Sequence, residues 1–191
     1  MKKNTFKSLR LSCQALCTVC IAIFLFGCAA VSMKSVRDPS FSEPINKLFI
    51  ILNHGQVDQI DSAYTPYLIT ALKEEFTKKG VEIAIRNFNA IVLDENIYRS
   101  EIASYEPDGI LTIIATGGTV AGATGGLAQI RYDVSLFDSL KNKRIWRAQI
   151  NASGGTAVRE KRMKLMAGEL IKRLSEEKLI SSEPRPKGRQ L

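Results

Sequence analysis

The chain has 191 residues, 27 of them Lys or Arg and 19 Asp or Glu, for a formal charge of +8. That length suits one domain with a full hydrophobic core. The basic excess does not point to nucleic acid, because Lys2, Lys3, Lys7 and Arg10 crowd the start, and subtracting these four from +8 leaves +4. His54 is the only histidine, and Cys13, Cys17 and Cys20 all fall in one N-terminal apolar run. Neither a histidine-based nor a cysteine-ligated metal centre is expected, no disulfide framework, and no cofactor.

That apolar run, Leu11 to Phe26, follows the basic start and is interrupted by Gln14. It falls short of the roughly 20 residues that a membrane-spanning helix needs. A basic region, a short apolar region and a small residue before the cut describe a secretory signal peptide. Leu25-Phe26-Gly27-Cys28 resembles the lipobox of bacterial lipoproteins. The resemblance implies removal of residues 1–27 and acyl chains on the sulfur and amino group of Cys28. Several acyl chains together hold a protein stably at a membrane. Ala29-Ala30 follows, not the Asp that commonly retains such proteins at an inner membrane, so the outer membrane, facing the periplasm, is the implied location.

Residues 28–44 then read as the lipidated Cys and a flexible tether: small, polar, and containing Pro39 and Pro44. Residues 45–180 read as one α/β domain, and 181–191 as a disordered basic tail. Within the domain, Lys47–Asn53 is an apolar run fit for a strand buried on both faces. Tyr64, Leu68, Leu72 and Phe76 recur every fourth position on a helix that Gly80 stops. Val81, Ile83 and Ile85 alternate as a second strand. A short helix from about Asp94 to Ser104 leads to a turn at Pro107-Asp108-Gly109 and a third strand at 110–115. Gln129–Phe137 and Arg144–Ile150 alternate as two further strands, and a helix runs from Thr156 to about Lys178. Its apolar stripe is Met163, Met166, Ala167, Leu170, Ile171 and Leu174, and Arg159, Lys161, Arg162, Lys164, Lys172 and Arg173 are placed on its solvated face.

The order β-α-β-α-β-β-β-α predicts an α/β (mixed α+β) fold. Its sheet is expected to be mixed and five-stranded, in order 2-1-3-4-5, with helices on both faces. The expected core includes Phe49, Ile51, Leu68, Leu72, Phe76, Ile83, Leu111, Ile113, Val134, Leu136, Trp146, Met166 and Leu170.

The segment Tyr132-Asp133-Val134-Ser135-Leu136-Phe137-Asp138, a turn, and Lys143-Arg144-Ile145-Trp146-Arg147-Ala148 resembles a hairpin of small bacterial lipoproteins. Their domains are similar to the anticodon-binding-like fold of the LpoB/CsgG-like group. The resemblance implies a non-enzymatic accessory lipoprotein of the cell envelope that binds another envelope protein. It carries over no functional residue, and it leaves the oligomeric state open.

A competing motif is Ile113-Ile114-Ala115-Thr116-Gly117-Gly118-Thr119-Val120-Ala121, which resembles the first signature of bacterial-type L-asparaginases. That resemblance would make Thr119 the nucleophile of a small amidohydrolase. A threonine hydroxyl needs an activating partner and an oxyanion hole. The second signature of that family is missing; its only echo is His54-Gly55. Gly117–Gly126 is therefore read as a flexible hairpin connection whose glycines supply positive φ. In the expected sheet the loops after the first and third strands flank a topological switch point, where open α/β sheets bind ligands. His54, Asp58, Thr116, Gly117, Gly118 and Thr119 form the candidate ligand or partner loop on that argument.

Overall fold

A computed structural model describes residues 30–53, 58–88, 95–121, 126–154 and 158–181. Six strands and three helices follow in the order β1 (Ala30–Arg37), β2 (Lys47–Asn53), α1 (Asp58–Lys78), β3 (Glu82–Phe88), α2 (Glu95–Tyr105), β4 (Gly109–Ala121), β5 (Gly126–Asp138), β6 (Lys143–Ser153) and α3 (Arg159–Glu176). The strands form one mixed sheet in the order β1-β6-β5-β4-β2-β3. β2 runs parallel to both β3 and β4, and β4, β5, β6 and β1 are successively antiparallel.

The expected five-stranded sheet is overturned. Residues 30–37, assigned to a flexible tether, form a sixth strand that pairs with β6 from Ala30↔Ser153 to Arg37↔Trp146. Pairing satisfies a row of backbone donors and acceptors on β6 that an edge would leave exposed. Val31 and Met33 pack against the core from β1. The Gly-rich stretch is also not a loop throughout. β4 continues through Gly117, Gly118 and Thr119 to Ala121, paired with Arg131, Ile130, Gln129 and Gly126 of β5.

One sheet face carries the core. Leu48, Ile50 and Leu52 of β2, Leu111 and Ile113 of β4, Val134 and Leu136 of β5, and Trp146 and Ile150 of β6 meet α1 and α3 there. Since successive strand residues point to opposite faces, Phe49 and Ile51 fall on the other side. Phe49 is buried, but beneath α2, with its ring edge-on to Tyr105 at 5.9 Å between centroids. Ile51 and Ile83 are half-buried. Leu68, Leu72, Phe76, Met166 and Leu170 are fully enclosed, as the helical spacing requires.

The chain ends of the helices are closed locally. Gly80 adopts φ 68, and the Val81 amide returns to the Phe76 carbonyl at 3.1 Å, a left-handed stop that suits glycine. At the end of α3, Lys178 takes the same conformation, with φ 55, and Leu179 donates to the Leu174 carbonyl at 2.8 Å. Leu179 and Ile180 then cap the core, and Ile180 bridges Ile45 in parallel.

Candidate functional site

The sheet divides into two halves with different reach. β2 ends level with β4 at the pair Asn53↔Ile114. The antiparallel half continues as an arm, with Thr119 five residues farther along β4, about 17 Å at the usual strand rise. Its pairing shifts register between Ala115 and Gly117, so Thr116 is the extra residue of a bulge. The Thr116 hydroxyl faces the Arg131 carbonyl at 3.5 Å.

The predicted site residues are thereby placed or spread apart. Thr116 stands just past the end of β2, whereas Thr119 lies farther out on the arm. His54, Gly55 and Cys28 lie outside the described residues; Asp58 opens α1, but its side chain lies outside them too. Gly117, Gly118, Thr119, Gln129 and Arg131 line a shallow recess of about 220 Å³. Among the described residues, that recess holds a guanidinium and an amide but no carboxylate, imidazole or amine to activate a hydroxyl. Neither Gly117 nor Gly118 is among the described glycines with positive φ, and a Cβ built on Gly117 meets nothing within 4 Å. The expectation that these two glycines serve a turn is corrected: they sit in an extended ladder.

The face of the arm away from the helices is polar. Asp133 accepts from Arg147 across the β5–β6 pair at 2.9 Å, and Asn151 Oδ1 accepts from Gln129 and Arg131, each at 3.4 Å. Lys34 and Val36 of β1, with Arg147 and Gln149 of β6, border a recess of about 270 Å³, and Val36 is 76% exposed. α2 covers only the β2–β3 side of this face. There Arg86 pairs with Glu101 at 2.5 Å, and the Lys47 ammonium sits 4.5 Å over the Tyr105 ring. Burial, with Glu82 and Asp108 nearby, pushes the Tyr105 phenol up to about 12.

Sequence reasoning missed the residue that braces the arm. Arg162, assigned to the solvated face of α3, is fully buried. Its Nη2 donates to the Tyr64 hydroxyl at 2.9 Å and its Nη1 to the Ala128 carbonyl at 3.5 Å, and its guanidinium lies 4.9 Å from the Tyr64 ring. A buried guanidinium is tolerated when hydrogen bonds and a ring face replace water. Beside it, burial raises the Tyr132 phenol well above its ordinary range, with the Arg162 charge opposing. The signal was present in the spacing: Arg162, Met166 and Leu170 share one helical row.

Comparison with known proteins supports the fold. No protein-family model and no curated protein sequence matches the chain. Among solved structures, the chain is similar to the PelC dodecamer from Paraburkholderia phytofirmans, at 12% identity and TM-score 0.50, over 80% of this chain and 100% of that one. A variant of that dodecamer follows at 11% identity and TM-score 0.49, over 74% and 98%. A Xanthomonas campestris protein of the DUF330 family is a fainter likeness, at 14% identity and TM-score 0.42, over 73% and 89%. The first of these shows a shared fold. Among the described residues, no helix is long and apolar enough to cross a membrane, and no cluster of His, Cys, Asp or Glu could hold a metal ion.

Proposed function

We propose that this chain is a lipid-anchored accessory protein of the bacterial cell envelope. It is held through Cys28 at the periplasmic face of the outer membrane and acts by binding protein, not by catalysis. The observation that carries the reading is the Gly27-Cys28 junction behind a short apolar run. The fold shared with PelC supports it, and the polar face of the arm, uncovered by any described helix, offers a surface for an envelope partner. Because the similar protein is a dodecamer, further copies of this chain are among the partners the reading includes.

Metabolic labelling with a fatty-acid analogue tests the anchor. Wild type takes up label and Cys28→Ser does not; equal labelling of the two removes the lipoprotein reading. Asparagine hydrolysis tests the mode of action. The expected result is no turnover, and clear turnover abolished by Thr119→Ala would replace binding with a threonine hydrolase.

A further inference from the structure

Strand register fixes which end of the sheet meets the anchor. Ala30 pairs with Ser153, Ser153 with Gln129, and Gln129 with Thr119, so these four residues form one row across β1, β6, β5 and β4. Ala30 is two residues from Cys28, a Cα separation of at most about 7 Å. Residues 30–37, expected to be part of a flexible tether, are therefore not available as a spacer.

Among the described residues, only the β4–β5 hairpin continues beyond this row, through Val120↔Leu127 to Ala121↔Gly126. From Gln129 to Gly126 the strand rises about 10 Å. Two strand-to-strand steps separate β1 from β5, a rotation of about 45° at the usual twist, which reduces the projection along β1 to about 7 Å. The paired end of the hairpin thus projects beyond Ala30 by about as much as the two-residue link to Cys28 can span. No charged residue occurs between Asp108 and Arg131, so this end of β4 and β5 can approach a bilayer without desolvating a charge. The helices that begin at this end carry mixed charge: Asp58 and Asp61 on α1, and Arg159, Glu160, Lys161 and Lys164 on α3.

We infer that the end of the sheet carrying Ala30 lies against the lipid surface, with the uncharged paired end of the β4–β5 hairpin at headgroup depth. The inference rests on the lipid anchor proposed above. It orients the domain edge-on to the membrane, with the polar face of the arm standing upright and open to the periplasm. The contact is apolar and does not depend on anionic headgroups.

The test uses the mature, acylated protein in vesicles of phosphatidylethanolamine and phosphatidylglycerol. An environment-sensitive thiol fluorophore is placed at Thr119→Cys on the hairpin or at Lys141→Cys in the turn at the opposite end. Both side chains are exposed, and circular dichroism checks that each variant is folded. Cys28 is the only cysteine outside residues 1–27, so acylated protein without an added cysteine takes no label. Failure to float with vesicles, or labelling of that protein, would defeat the anchor itself. With the anchor intact, the label at 119 shows blue-shifted emission and severalfold weaker quenching by aqueous iodide than the label at 141. Equal quenching at the two positions overturns the inference. Repeating the measurement in phosphatidylcholine vesicles leaves the protection in place; its loss there would assign the contact to the basic residues of α3 and overturn the uncharged docking.

Discussion

Trp146 Nε1 donates to Glu177 Oε2 at 2.8 Å, while Glu177 Oε1 accepts from the Ser35 hydroxyl at 2.5 Å. One carboxylate just past the end of α3 therefore ties together β6, the helix and the strand β1. Trp146 is 1% exposed, so its indole N–H has no recourse to water if that acceptor is removed. Glu177→Ala is expected to cost about 1–3 kcal/mol by stranding a buried donor, and Glu177→Gln less, because an amide oxygen remains. Urea unfolding of the two variants checks the ranking. Trp146→Ala costs more, about 3–5 kcal/mol, through the cavity it leaves.

Removing β1 should do more than shorten the chain. A fragment of residues 39–191 exposes the β6 edge and the apolar patch beneath Val31 and Met33, whereas 29–191 keeps both covered. The shorter fragment is expected to unfold at lower denaturant and to self-associate through the open edge. Sedimentation velocity alongside a urea titration measures both effects; equal behaviour of the two fragments would return residues 30–37 to the role of a tether.

Two glycines of β4 should respond in opposite directions to the same substitution. A Cβ on Gly109 would lie 2.5 Å from Ile45 Cδ1 and 3.1 Å from the Phe137 carbonyl oxygen. Gly109→Ala is expected to destabilise by about 1–3 kcal/mol through overpacking. Gly117 has open space and extended backbone, so Gly117→Ala should stabilise by about 0.4–1 kcal/mol by restricting the unfolded chain. Thermal or urea melts of the pair decide it.

Asp38 gives the stability a definite pH dependence. The Lys143 ammonium at 2.5 Å, with the Ser40 hydroxyl and amide, holds its carboxyl well below the usual carboxylate range. A carboxyl whose pKa is lower in the folded state stabilises at pH above its unfolded value and loses that contribution as pH falls toward the folded value. Urea midpoints at about pH 5 and about pH 3 should therefore drop more for wild type than for Asp38→Asn. Equal drops would show that the ion pair adds nothing to folding.

The elements with local signals could be read from the chain. The fourfold spacing of Tyr64, Leu68, Leu72 and Phe76 defines the buried side of α1, and Gly80 marks where it stops. The alternation of Tyr132, Val134 and Leu136 identifies the inner face of β5. β1 had no comparable signal. Only Val31 and Met33 point inward as apolar residues, Val36 points out, and the partner strand lies far away in sequence. In β2 every interior residue is apolar, so alternation could not tell Leu48 and Ile50 from Phe49 and Ile51. The glycines of β4 were read as a turn because glycine commonly marks one, yet backbone pairing with β5 outweighed that tendency. Thr116 and Thr119 belong to one short motif in the sequence, but an extended strand separates what a tight loop would have gathered.

The pairing of β1 with β6 also sets an order of events in time. Ala30 and Ser153 are 123 positions apart. At ordinary synthesis rates β1 waits about 6–25 s between its own appearance and that of its partner. Closing so long a loop is entropically the most expensive step for a strand with few inward apolar residues. β1 is thus the last strand of the sheet to lock.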